Sequence, residues 1–173
     1  IIYIGITKKE SKVILIITSC FYPNQVITDF DSRIDSLEHR IKRYMYTIKK
    51  INFEIFDNFF FIDNSEYSFK DFPLLSRMLD KKNIKKVKFK PSETSFSKGK
   101  GFQECEMINY ILEKYNEDTN FFKLTGTIPL ENIKYLIRLF NKKFKNKEFQ
   151  IFTTYLSNLE RKLDSRFFYT NKK

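Results

Sequence analysis

Short apolar runs alternate along the chain with segments whose apolar residues recur at helical spacing. Two runs, Val13–Ile17 and Phe59–Ile62, are continuous and short. Such runs are typical of strands that are buried on both faces of a covered, largely parallel sheet. Further strands are predicted at Val87–Phe89, Phe121–Leu124, Phe149–Tyr155 and Ser165–Thr170.

Four segments show the spacing of amphipathic helices. In the first, a stripe from Ile34 to Ile48 predicts a helix that Asp31 or Ser32 caps and that ends near Lys50. The others are predicted from Pro73 to about Asp80, from Gly101 to Tyr115 and from Glu131 to Lys145. Because strands and helices alternate, we expect an α/β fold with a mostly parallel central sheet flanked by helices, as a single domain over residues 1–173.

The stretch Ser97–Leu130 combines a basic glycine loop, a helix and a strand. The loop Lys98–Gly101 leads into a helix whose predicted buried face includes Cys105, and Pro91–Lys100 as a whole is expected to be a polar loop. The strand after it ends in the small residues Thr125–Thr127. Glycine loops at helix starts and small-residue turns at strand ends are how α/β folds build anion sites. This stretch is therefore the predicted centre of an anion site.

Charge and composition agree with an anionic ligand. The chain of 173 residues has a net charge of +11, with 42% hydrophobic and 31% charged residues. The charge favours nucleotides, nucleic acid or acidic lipid head groups, but the lysines are spread along the chain, which disfavours nucleic acid. The 17% of aromatic residues fits either coding bias or a stacking surface. Cys20 and Cys105 match no metal spacing, and both are expected to be reduced core residues of a cytoplasmic protein.

Several chemistries lack their residues. There is no GxxxxGK[ST] motif, and no glycine follows the strand Val13–Ile17, which argues against P-loop and Rossmann dinucleotide binding. The one histidine, His39, is expected on a helix surface, so a Ser-His-Asp hydrolase is disfavoured. No zinc ligand set and no apolar run of membrane-spanning length is found.

Four segments, in order, resemble bacterial glycosyltransferases of the GT-A fold that act in capsule and lipopolysaccharide biosynthesis. They are the Thr-Ser-ended strand with the Ser32-Arg33 helix start, Phe61-Ile62-Asp63-Asn64-Ser65, Lys100-Gly101-Phe102-Gln103-Glu104-Cys105-Glu106, and Phe121-Phe122-Lys123-Leu124-Thr125-Gly126 with the later Asp164-Ser165-Arg166-Phe167-Phe168. Two departures occur. Thr127 stands where the family has Arg, and no Asp-x-Asp for a divalent ion follows the strand Phe121–Leu124. A metal-independent mechanism without a cofactor is therefore expected, although a divalent metal is compatible with the family.

The resemblance implies a nucleotide-sugar donor and a glycan or lipid-linked acceptor. It also implies a cytoplasmic enzyme, with a peripheral contact at the anionic inner membrane face compatible with the charge. Because the chain ends at Lys173, we expect it to lack C-terminal acceptor-binding elements. The residues implied for donor binding are Arg33, Asp63, Lys98, Lys100, Gly101, Glu104, Thr125, Gly126 and Arg166, and those for catalysis are Glu106 and Asp164.

Plainer interpretations of these residues stay open. Asp63 could instead form an Asx turn with the residues after it. Glu104 and Glu106 would suit the first turn of a helix without any ligand. Two other functions also stay open, namely a basic binding protein without chemistry and a degenerate transferase kept for partner binding. A basic binding protein predicts a lysine stripe on one sheet face, whereas a transferase predicts Arg33, Asp63, Glu106 and Gly126 together at the strand ends.

Overall fold

A computed structural model describes residues 13–21, 36–115, 120–129, 135, 138, 150–152, 155–157, 162–163 and 167–171. The elements in these residues are, in chain order, β1 (Val13–Ser19), α1 (Leu37–Lys50), β2 (Asn58–Asp63), α2 (Pro73–Lys81), β3 (Lys85–Lys88), α3 (Glu93–Lys98), α4 (Lys100–Lys114), β4 (Asn120–Thr125), β5 (Gln150–Phe152), β6 (Tyr155–Ser157), β7 (Lys162–Leu163) and β8 (Phe167–Asn171). Short 3₁₀ turns lie at Phe53–Ile55 and Phe69–Asp71.

The central sheet has the strand order β3-β2-β1-β4-β8-β5. Its first four strands are parallel, and β8 and β5 add to them as antiparallel neighbours. The predicted α/β fold with a mostly parallel sheet is confirmed. Since β2 and β4 flank β1 on opposite sides, the direction of the connections reverses between β1 and β4. In open α/β sheets, ligands bind outside the carboxyl ends of the strands at such a switch point.

Helices cover both faces of the parallel strands. All seven residues of β1 are buried. Its Leu15 and Ile17 pack in a cluster with α1 and α2, whereas Ile14 and Ile16 pack in a second cluster with α4. A strand that is buried on both faces favours apolar residues at successive positions, which explains the continuous run Val13–Ile17 in the sequence.

Aromatic residues form much of the core beneath α1 and α2. The ring of Phe21 contacts those of Tyr44, Phe61, Phe69 and Phe72, with centroids 4.7 to 6.2 Å apart. Many of these contacts are edge-to-face, the arrangement that the ring quadrupole favours. Part of the high aromatic content is thus explained by packing.

Two predicted element bounds were wrong. Helix α1 begins at Leu37, later than a cap at Asp31 or Ser32 would place it. Ser36 is its N-cap, with an extended ψ of 146° and a side chain that accepts from the His39 amide. The predicted polar loop at Pro91–Lys100 contains helix α3, and Gly99, at φ 87°, separates α3 from α4. His39 is exposed in the first turn of α1, as predicted.

The buried face of α4 also differs from the prediction. Cys105 is exposed, and Met107, Ile108 and Ile111 are buried. Glu104 lies four residues before Ile108, on the same side of the helix, where it meets polar groups at the strand ends instead of apolar ones. The helix predicted at 131–145 lies outside the described residues, except for Tyr135 and Arg138.

Candidate functional site

Polar residues line the carboxyl edge of the parallel sheet. In the strand register, Asp63 lies between Ser19 of β1 and Lys88 of β3, and Thr18 lies opposite Thr125 of β4. Helix α4 runs back against the strands, so its first turn lies at the same edge. The side-chain Nδ2 of Asn64 donates there to Gln103 Oε1 at 3.0 Å. The helix start and the strand ends therefore form one surface.

Asp63 is the centre of a closed hydrogen-bond network. It is fully buried, and its Oδ2 accepts from the Ser19 hydroxyl and the Phe21 amide, both at 3.0 Å. Its Oδ1 accepts from the Ser65 amide at 2.9 Å, the Ser65 hydroxyl at 2.6 Å and Lys88 Nζ at 2.7 Å. A carboxylate offers about four lone-pair sites, so these donors fill it. The network includes the Asx turn that the sequence allowed, and it fixes the ends of β1, β2 and β3.

A second network surrounds Glu104 at the switch point. Lys123 of β4 is fully buried, and its Nζ donates to Glu104 Oε2 at 2.8 Å and to Thr125 Oγ1 at 2.9 Å. The hydroxyls of Thr18 and Thr125 donate to Glu104 Oε1 at 3.1 and 3.3 Å. The Glu104 side chain keeps 26% of its surface exposed. The protein donors therefore hold the carboxylate in one orientation, and a ligand in solvent can still reach it.

Three cations lie near the end of β1. Tyr44 fixes the backbone there, since its hydroxyl donates to the Cys20 carbonyl at 2.9 Å and accepts from the Cys20 amide at 3.1 Å. Burial, and next the charge of Asp63, raise the pKa of the Cys20 thiol to about 11. Arg40, Lys100 and Lys88 act on this thiol in the opposite direction, so their charges lie within electrostatic range of the strand end.

The glycines of the predicted anion site have different roles. A Cβ on Gly126 would lie 2.8 Å from the Tyr44 ring, and its amide donates to the Thr18 carbonyl at 2.8 Å. Close packing therefore requires glycine at this position. The left-handed φ of 87° at position 99 favours glycine. A Cβ on Gly101 would have no heavy atom within 4 Å apart from its chain neighbours and the backbone of its own helix. The first turn of α4 thus has open space beside its backbone.

The remaining predicted site residues are distributed as follows. Lys98 lies over the Phe102 ring, 4.4 Å from its centroid. Glu106 lies about 200° around the helix from Glu104, accepts from the Ser92 hydroxyl at 2.7 Å, and has its other oxygen buried without a hydrogen-bond partner in the described structure. Arg33, Asp164 and Arg166 lie outside the described residues. The carboxyl edge brings together Asp63, Lys100, Glu104, Thr125 and Gly126.

Sequence reasoning did not assign Lys123 or Lys88 to the site. A signal for Lys123 was present, because it is the one charge in the apolar run Phe121–Leu124. A lysine in a buried strand needs a buried partner. Lys88 ends β3 and carried no comparable signal.

The described residues contain neither a group of metal ligands nor a membrane-spanning helix. Residues 13–21, 36–115 and 120–129 contain no group of three or more His, Cys, Asp or Glu that could hold a metal ion. An Asp-x-Asp spacing does occur at Asp29-Phe30-Asp31, which lies outside the described residues. Within the described part of the chain, no helix has the length and apolar character to cross a membrane.

The fold belongs to the α/β class, and folds of this class bind ligands at a switch point such as the one between β1 and β4. Neither a protein-family model nor a curated protein matches the sequence. Among solved structures, the chain is similar to CMP:2-keto-3-deoxy-manno-octonic acid synthetase complexed with CTP, with a TM-score of 0.48 and 9% identity over 94% of this chain and 74% of that one. A match at this level does not extend the ligand of that enzyme to this chain.

Proposed function

We propose that this chain is a glycosyltransferase that transfers a sugar from a nucleotide-sugar donor to a glycan or a lipid-linked acceptor. The four motif segments support the family, and the polar carboxyl edge supports a ligand site at the switch point. The proposed enzyme acts in the cytoplasm, at or near the inner membrane face, without an Asp-x-Asp metal site after β4.

The observation that carries the proposal is the partly exposed Glu104 carboxylate at the switch point. Lys123 and two threonine hydroxyls already hold it in one orientation, so binding a ligand costs little further ordering. A carboxylate accepts hydrogen bonds from vicinal sugar hydroxyls but repels a diphosphate. Glu104 is therefore proposed to bind the sugar of the donor.

Cations beside Glu104 are proposed to bind the diphosphate. Lys100 begins α4, where the first amides of a helix have no intrahelical partner and favour anions. Arg40 and Lys88 lie within electrostatic range of the same strand end. Positive charge placed where the leaving diphosphate develops charge would lower the barrier to transfer.

The acceptor hydroxyl needs a base as it attacks the sugar carbon. Asp164 and Glu106 remain the proposed catalytic residues, with Asp164 the better candidate for the base because Glu106 lies on another side of α4 from Glu104 and accepts from Ser92. Arg33 and Arg166 remain proposed donor contacts, together with Asp63, Lys98, Gly101, Thr125 and Gly126. For Asp63 the filled hydrogen-bond shell favours a positioning role, and for Gly126 the Tyr44 contact supplies a packing role.

A thermal-shift panel of UDP-, GDP-, CMP- and TDP-linked sugars, with and without manganese, tests the proposal. A bound ligand raises the midpoint by mass action, so a true hit grows with concentration. We expect one nucleotide class to stabilise the chain without metal. A hit that needs manganese would instead direct attention to Asp29 and Asp31. No shift with any donor, together with salt-sensitive binding to RNA or DNA, would replace the transferase by a basic binding protein.

Matched variants separate sugar binding from phosphate binding. Glu104→Gln should reduce the shift by the nucleotide sugar and leave the shift by the free nucleotide, while Glu113→Gln near the other end of α4 should change neither. Lys100→Gln should reduce both shifts, and Lys114→Gln should not. Equal effects of the near and far substitutions would contradict a site at the start of α4.

A further inference from the structure

A groove separates α1 from α2 on the outside of the helix layer. Its volume is about 350 Å³, and its lining residues are Met45, Ile48, Lys49, Leu74, Arg77, Met78, Lys81 and Lys82. We call it the α1–α2 groove. Helices that follow parallel strands run back towards the amino ends, so Lys49 and Lys81 in their last turns lie away from the carboxyl edge. Leu74 lies at the other end of α2, but none of the lining residues is proposed to bind the donor, so the groove is distinct from that site.

Some apolar side chains that line the groove are exposed to solvent. Helix α2 buries Leu75 and Leu79 in the core, yet Leu74 keeps 63% of its surface exposed. Met45 and Met78, which also line the groove, are half-buried. An exposed apolar patch with a polar rim is typical of an interaction surface.

The rim of the groove carries one sign of charge. Four of the eight lining residues, Lys49, Arg77, Lys81 and Lys82, are cations, and none is acidic. The acidic residues of these two helices that form ion pairs in the described structure bond elsewhere, Glu38 with Lys42 and Asp80 with Lys86. The groove therefore combines apolar side chains with four cations.

We propose that the α1–α2 groove docks the protein on an anionic phospholipid surface. Leu74, Met45 and Met78 enter the boundary between head groups and acyl chains, and the four cations contact lipid phosphates. Nucleic acid shares the phosphate chemistry, but its single strands call for stacking aromatic platforms. An exposed leucine with two half-buried methionines suits acyl chains better than bases. The proposal goes beyond the donor site and does not depend on it.

Co-sedimentation of the full chain with lipid vesicles tests the proposal. One vesicle set contains phosphatidylcholine alone, and the other also contains phosphatidylglycerol. We expect binding to the anionic vesicles, weakened by salt, and little binding to the neutral ones. Each lysine near an anionic surface contributes about fivefold to partitioning, so Lys49, Lys81 and Lys82 changed together to Gln should lower binding on the order of 100-fold.

A matched charge control uses three exposed lysines outside the groove. Lys85, Lys90 and Lys114 changed to Gln remove the same net charge, and this variant should retain most binding. Leu74→Gln should lower partitioning about tenfold through lost apolar burial, while Leu74→Met should bind like the unchanged chain. Circular dichroism of each variant separates lost docking from lost folding.

Three results would overturn the proposal. One is equal binding to neutral and anionic vesicles. Another is an equal loss of binding in the groove variant and the charge control, because net charge alone would then explain the attraction. The third is tight, salt-sensitive binding to RNA by a chain that ignores anionic vesicles. None of these results bears on the nucleotide-sugar panel, so the two proposals can fail separately.

Discussion

Two ion pairs at the carboxyl edge of the sheet are mirror images in exposure. In the pair of Lys88 and Asp63, the carboxylate is fully buried and the lysine side chain is 37% exposed. In the pair of Lys123 and Glu104, the lysine is fully buried and the carboxylate side chain is 26% exposed. The two lysine–carboxylate distances, 2.7 and 2.8 Å, are nearly equal.

This contrast assigns different tasks to residues of the same type. A buried carboxylate with five protein donors holds the strand ends together, whereas a partly exposed carboxylate can also accept from a ligand. The edge thus presents an ammonium at Lys88 and a carboxylate at Glu104. A diphosphate and a sugar need these two kinds of group, which is why the contrast bears on the proposed function.

The largest expected effect comes from breaking the ion pair of Lys88 and Asp63. Asp63→Ala removes the carboxylate that pairs with Lys88 and accepts from the Phe21 and Ser65 amides, and we expect a loss of about 3–5 kcal/mol in the free energy of unfolding. Urea denaturation measures it. The control is Asp80→Ala, whose carboxylate is 60% exposed beside Lys86 and should cost within about 1 kcal/mol. Similar losses for the two variants would show that Asp63 does not fix the strand ends.

Breaking the ion pair of Lys123 and Glu104 should lower the free energy of unfolding by less. Lys123→Met removes a charged donor from Glu104, but solvent can hydrate the exposed side of the carboxylate, so we expect a loss of about 2–3 kcal/mol. Replacing both partners by methionine should regain most of it, because no unpaired charge is left behind. A double variant as unstable as the sum of the single ones would mean that the two residues are not coupled.

Gly126, which follows Thr125 in the network around Glu104, gives a third test. Gly126→Ala forces a methyl group against the Tyr44 ring, and overpacking of this kind costs about 1–3 kcal/mol. Gly101→Ala is the matched control, because the added methyl group meets open space in a helix where alanine is favoured by about 0.5–1 kcal/mol. Thermal unfolding of both variants measures the difference. Equal midpoints would argue against the Tyr44 contact.

A fourth test concerns Cys20, which lies beside the ion pair of Lys88 and Asp63. Its folded-state pKa of about 11 lies above the ordinary value of 9.0. As the pH rises past 9, the unfolded chain therefore releases this proton while the folded chain retains it. Stability should then fall up to about pH 11 and no further on account of this group.

Urea denaturation at several pH values checks this expectation. Cys20→Ser should remove that part of the alkaline loss, and Cys105→Ser, at an exposed position, should not. An alkaline loss of the same size in the Cys20 variant would contradict a raised pKa in the folded state.

The fold was predictable because its strands carry strong apolar signals. The prediction Val13–Ile17 became Val13–Ser19, and Phe59–Ile62 became Asn58–Asp63. Of the added residues, Thr18, Ser19 and Asp63 are polar but buried. Their polar groups bond to Glu104 and to one another at the carboxyl edge, so burial there does not require an apolar side chain. The start of α1 was missed since Asp31, Ser32 and Ser36 are all good caps, and local sequence does not choose among them.

The site was predictable only in part. The glycine loop and the resemblance pointed to the start of α4, and Glu104 lies there at the strand ends. The partner of Glu104, Lys123, lies 19 residues away, and the donors to Asp63 come from three strand ends. Such contacts depend on strand order and register, which periodicity does not give.

The lysines of β3 have a consequence for self-association. Among the described strands, β3 forms one edge of the central sheet, and an edge strand can recruit a strand from another molecule. Its sequence, Lys85-Lys86-Val87-Lys88, sets three lysines along that edge. Lys86 and Lys88 form ion pairs with Asp80 and Asp63, and Lys85 is exposed. Charged edges of this kind oppose edge-to-edge aggregation. Part of the net charge of this protein thus opposes its self-association through the edge of the sheet.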